Sequence, residues 1–91
     1  MIIYEITARV QKELEEQFEQ FMRDRHIPDL LQTGYFKKAE MAQISDGNYR
    51  IRYQTKDRET LDRYFETDAE GLRRDFIKNF PEGVEVSREI L

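Results

Sequence analysis

The sequence predicts an α+β fold, a four-stranded antiparallel sheet with two helical regions on one face. Three observations predict it. Apolar and polar residues alternate near both ends of the chain and on either side of Asp46-Gly47, which is the period of strands. The two segments between them carry apolar residues three and four apart, the period of helices. The elements therefore run β-α-β-β-α-β, an order that right-handed crossovers restrict to few topologies.

The first strand covers Ile2 to Val10, with Ile2, Tyr4, Ile6, Ala8 and Val10 on one side and Ile3, Glu5, Thr7 and Arg9 on the other. From Gln11 the period lengthens. Leu14, Phe18, Phe21 and Met22 form one helical stripe, and Glu13, Glu15, Glu16 and Glu19 suit the positive N-terminal end of that helix. Pro28 disfavours helical geometry at Ile27, so a stop or kink is expected near His26. A short turn over 28–33, closed by Gly34, should follow.

Strands are expected over 35–44 and 49–55. A two-residue Asp46-Gly47 turn would set Met41 opposite Arg52 and Glu40 opposite Tyr53. A three-residue loop, 45–47, with Gly47 left-handed, sets Met41 near Ile51 and Glu40 near Arg52. Only the second separates apolar from charged side chains, so it is the expected register. Asp57 opens the second helical region, whose apolar side carries Leu61, Tyr64, Phe65, Leu72, Phe76, Ile77 and Phe80. Thr67-Asp68-Ala69-Glu70 matches a capping box and predicts a break there. Pro81 and Gly83 end the region. In the closing strand Val84, Val86 and Ile90 alternate with Glu85, Ser87 and Glu89. The whole closes into a ferredoxin-like sandwich, with Tyr4, Ile6, Ala8, Met41, Ile51, Tyr53, Val84 and Val86 under the helices.

A chain of 91 residues makes one domain, 1–91, with a thin core. Charged residues reach 37%, yet six Phe and five Tyr at regular spacing argue for a folded chain. With no cysteine, disulfides, thiol catalysis and Cys-ligated metal sites are excluded. Met1 leads straight into a strand-like run, and no apolar run approaches the roughly 18–20 residues that span a bilayer. A soluble, cytoplasmic protein without membrane contact is expected. The net charge of −4 opposes binding to polyphosphate, so nucleic acid is not an expected partner.

The open face of such a sheet carries Glu5, Thr7, Arg9, Phe36, Lys38, Glu40, Arg50, Arg52, Gln54, Glu85, Ser87 and Glu89. It reads either as a solvated face crossed by weak ion pairs or as the contact of a homodimer. Two facing sheets would enclose a polar interior suited to a small polar or anionic ligand. Arg50 and Arg52, two apart on one face, could clamp a carboxylate or phosphate, or pair with Glu40 or Glu5. Tyr35 and Phe36, as strand neighbours, should point to opposite faces, Tyr35 into the core or a ligand site and Phe36 onto the open sheet. His26 is the one side chain whose unperturbed pKa lies near neutrality, and Asp29, three residues on, is its candidate partner in acid–base chemistry. A lone histidine stabilised by a helix C-terminus is the competing reading. No metal site or cofactor is expected, because one His without Cys leaves too few ligands.

The opening Met-Ile-Ile-Tyr-Glu-Ile-Thr, the block from His26 to Leu31 with Thr33 to Phe36, and the closing Val86-Ser87-Arg88-Glu89-Ile90-Leu91 resemble domain of unknown function 4286, a bacterial family. More distantly the layout is similar to the dimeric α/β-barrel superfamily, which includes antibiotic-biosynthesis monooxygenases, EthD-like proteins and muconolactone isomerases. That resemblance implies a homodimer packed sheet to sheet, with a pocket between sheet and helices that a residue near the end of the first helix can face. His26 would be that residue. It also implies an alternative activity, a cofactor-independent monooxygenase or isomerase. The sequence has no Trp and shows no oxygenase constellation.

Overall fold

Period-two sequence becomes sheet and period-four sequence becomes helix along the whole computed structural model, which describes residues 1–91. The order is β1 (Ile2–Val10), α1 (Glu15–Phe21), α2 (Ile27–Gln32), β2 (Phe36–Ser45), β3 (Asn48–Thr55), α3 (Arg58–Thr67), α4 (Ala69–Asn79) and β4 (Val84–Ile90). The strands form one antiparallel sheet in the order β2-β3-β1-β4. Tyr4, Ala8, Ile51 and Tyr53 lie beneath the helices with at most 2% of their surface exposed, as expected. Ile6, Met41, Val84 and Val86 are only half-buried. For Ile6, Val84 and Val86 the reason is an open cleft described below.

The first helical arm does not stop at His26. After a 3-10 turn (Lys12–Leu14) and α1, the chain widens into a π-turn, Met22–His26, and runs on as α2. The Ile27 N–H donates to the Met22 carbonyl, five residues back. Pro28 has no N–H to give, and its ring crowds the preceding turn. The wider turn absorbs that defect without ending the helix. Gly34, at φ +86°, then ends α2.

The β2–β3 register is the expected one, with Met41 opposite Ile51 and Glu40 opposite Arg52. The device differs in detail. Ser45 already faces Asn48 across a two-residue turn, and the extra residue is Ile44, skipped between the Gln43–Tyr49 and Ser45–Asn48 pairs. Gly47 has φ +75°, and a Cβ there would lie 2.7 Å from the Val10 carbonyl oxygen, so the turn requires glycine.

A second irregularity corrects the expectation for Phe36. The register shifts between Phe36 and Lys38, so the strand changes phase at Lys37. Phe36 therefore shares the helix side with Ala39 and Met41 and is 6% exposed, not displayed on the open sheet. Its ring lies 4.8 Å from Tyr64 and 5.3 Å from Tyr53. Tyr35, which precedes the strand, is half-buried and packs against Tyr64 as well, so the two neighbours do not part to opposite faces.

Asp57 caps α3, its Oδ1 accepting from the Thr60 N–H at 2.8 Å and the Thr60 hydroxyl at 2.7 Å. These bonds hold its carboxyl below the usual range. The helix breaks at Asp68 as expected, but without a capping box. The Thr67 hydroxyl donates back to the Arg63 carbonyl at 2.7 Å, and the Asp68 side chain forms no cap.

Candidate ligand cleft

Phe18, Met22, His26 and Leu30 are spaced by four along the first arm, and all four are buried. In an ideal α-helix each step of four drifts by about 40°, or about 120° over the three steps. The π-turn uses more residues per turn and offsets part of that drift. One consequence is that His26 faces inward with Phe18 and Leu30.

These residues form one wall of a cleft of about 480 Å³. Its floor is β1 and β4, and α4 forms the opposite wall through Leu72, Arg73, Phe76 and Ile77. Of the 18 lining residues 14 are hydrophobic, so the cleft suits an apolar body. The deep residues Tyr4, Ala8, Phe18 and Ile51 are at most 2% exposed, while Ile77 at the rim is 61% exposed.

His26 is 8% exposed, and its Nδ1 is buried without a hydrogen-bond partner. Its ring stacks on Phe21 at 5.6 Å and meets the edge of Phe76 at 5.4 Å. Burial pushes its pKa down to about 4, against the opposing pull of Asp75 and Asp29. It is therefore neutral at pH 7. Beside it, Arg25 donates to Asp75 Oδ1 at 2.5 Å and lies 5.5 Å over the Phe21 ring, tying the arm to α4. Two further cations line the cleft. Arg73 reaches the Tyr4 hydroxyl at 3.4 Å and lies 5.8 Å from the Phe65 ring, and Arg88 projects from the helix side of β4 in register with Ile6.

Over residues 1–91 the chain matches the family model described as domain of unknown function 4286. The chain belongs to that family. No curated protein matches its sequence. Three solved structures are similar in fold. An ethyl tert-butyl ether d (EthD) family protein from Bacillus halodurans is 16% identical, with 98% of this chain and 97% of that one covered and a TM-score of 0.73. A protein described as dimeric ferredoxin-like, from an uncultured marine organism, is 14% identical at TM-score 0.71, covering 99% and 92% of the two chains. A putative antibiotic biosynthesis monooxygenase from Nitrosomonas europaea is 16% identical at TM-score 0.67, covering 98% and 96%. At such identities the likeness establishes the ferredoxin-like fold and no activity.

The residues singled out from sequence fall in three places. Only His26 lines the cleft. Asp29 is half-buried and makes no hydrogen bond to it, and of the two carboxylates whose charge acts on His26 the stronger is Asp75. Tyr35 and Phe36 lie outside the cleft, packed on Tyr64. Arg50 and Arg52 lie on the opposite face of the sheet, where Arg52 Nε donates to Glu5 at 2.7 Å and Arg50 makes no ion pair. Sequence reasoning missed Arg73, Arg88 and Asp75. For Arg88 a signal existed, since it occupies the inward phase of Val84, Val86 and Ile90. No helix is long and apolar enough to cross a membrane.

Proposed function

We propose that this protein is a homodimer that binds a small molecule in the cleft between the sheet and the helices of each protomer. The observation that carries the reading is the cleft itself, about 480 Å³ with 14 hydrophobic residues among its 18 lining residues and His26 in its wall.

Dimerisation through the open face is supported by its charge balance. Glu5, Glu40, Glu85 and Glu89 are matched by Arg9, Lys38, Arg50 and Arg52, and the acids of β4 stand at one edge while the arginines of β3 stand nearer the other. A two-fold copy can lay one column over the other. A thermal-shift screen of small organic acids, phenols and amines tests the binding. Ligands should raise Tm in the native chain and lose that effect in Val86→Trp, which fills the cleft. Ligands that stabilise both proteins equally, or none at all, would overturn the reading. Sedimentation equilibrium at micromolar concentration should give twice the 11.1 kDa chain mass.

A second reading, a cofactor-independent monooxygenase or isomerase with His26 as base, is favoured by the neutral imidazole. Its low basicity counts against it. A base with pKa about 4 instead of 7 gives up about 4 kcal/mol of driving force for taking a proton. Binding without catalysis is therefore the stronger conclusion.

A further inference from the structure

Arginines on the last two helices are otherwise neutralised one turn away. Arg58 pairs with Asp62, Arg63 with Glu59 and Arg74 with Glu70. Arg73 breaks that pattern. Its neighbours four residues away are Ala69 and Ile77, and it makes no ion pair. Arg88 is placed as oddly. Val86 and Ile90 flank it on the helix side of β4, Ile6 faces it across the sheet, and it too makes no ion pair. The charge of Arg88 is felt at both His26 and Tyr64, on different walls of the cleft, and that of Arg73 at Tyr64. A chain of net charge −4 thus keeps two uncompensated guanidinium groups at the rim of its apolar cleft.

We infer that the cleft takes a ligand with an apolar, ring-sized body and one carboxylate or comparable anion held at the rim by Arg73 and Arg88. This rests on the binding reading above and specifies its ligand class. The body is accommodated by the hydrophobic walls, and the guanidinium forks supply paired, charge-assisted donors that an ammonium could not arrange. Without a ligand anion, both cations are solvated at the rim, which is tolerable only because they are exposed.

Calorimetric titration with 2-naphthoate and its neutral isostere 2-naphthamide separates the possibilities. The carboxylate should bind at least about tenfold more tightly than the amide, equivalent to ~1.4 kcal/mol. Arg73→Met and Arg88→Met should each remove several-fold of that preference, and the double variant nearly all of it. Arg74→Met, which changes net charge equally, should leave it intact. Both cleft arginines are exposed, so the variants should keep the native circular dichroism spectrum. Equal affinity for acid and amide, or equal loss in Arg74→Met, would overturn the ligand class while leaving the cleft as a binding site. No binding of either probe would overturn both.

Discussion

Along β3 every second residue is buried. Tyr49, Ile51, Tyr53 and Thr55 are covered by the helices, while Asn48, Arg50, Arg52 and Gln54 between them are half exposed on the open face. The same strand therefore serves two surfaces of opposite chemistry. On the open side acids and bases are equal in number, and Arg52 stands between Glu40 and Glu5. On the helix side few charges approach the sheet, and the two guanidinium groups that make no ion pair there, Arg73 and Arg88, line one cleft beside neutral His26. A charge on the open side needs no special explanation. A charge on the helix side does, which is why the cleft and not the open sheet is assigned the ligand.

Replacing adjacent residues of β3 gives the largest expected contrast. Ile51→Ala, at a position with 0% exposure, should cost about 2–4 kcal/mol in urea unfolding, against about 0.5 kcal/mol or less for Arg50→Ala. Similar losses would mean that the open face is packed as tightly as the core.

The pH dependence is next in size. His26 has a folded pKa below its unfolded value, so between pH 6.5 and about 4 the unfolded chain binds more protons. Stability should therefore be complete above pH 6.5 and fall as the pH is lowered, by up to about 3 kcal/mol at pH 4. In His26→Leu this component should vanish, seen as the difference between the two unfolding curves. At pH 7 that variant should be as stable as the native chain or more so, because it removes an unpartnered polar atom. It should also bind ligand less well.

On the open face, Glu5→Gln should cost at most about 1 kcal/mol, because Arg52 is 37% exposed and its ion pair is screened by water. The smallest effect is expected from salt. Raising ionic strength from about 0.05 to 0.5 M should weaken the dimer a few-fold, since its contacts are charged. A dimer strengthened by salt would point to an apolar contact elsewhere.

Most of the fold was legible because strand and helix periods differ and because the β2–β3 register must segregate charge. The strand alternation placed Tyr4, Ala8, Ile51 and Tyr53 correctly in the core. Phe36 was not legible, because a single skipped residue at Lys37 inverts the phase and leaves no local signature. Pro28 misled for a related reason. A π-turn can accommodate proline, and the spacing by four from Phe18 to Leu30 becomes meaningful only once that turn is known. Asp75 reaches Arg25 and His26 from fifty residues away, beyond any local pattern. Arg88 was visible as an inward charge on the last strand, but its meaning depended on where α4 comes to rest.

The division between the two faces can be read from the arginine side-chain Nε–H signals in an NMR titration with 2-naphthoate. The expected result is that the signals of Arg73 and Arg88 move with ligand, while those of Arg50 and Arg52 stay in place. Movement of Arg50 and Arg52 with Arg73 and Arg88 unaffected would put the anion on the open face and contradict the account.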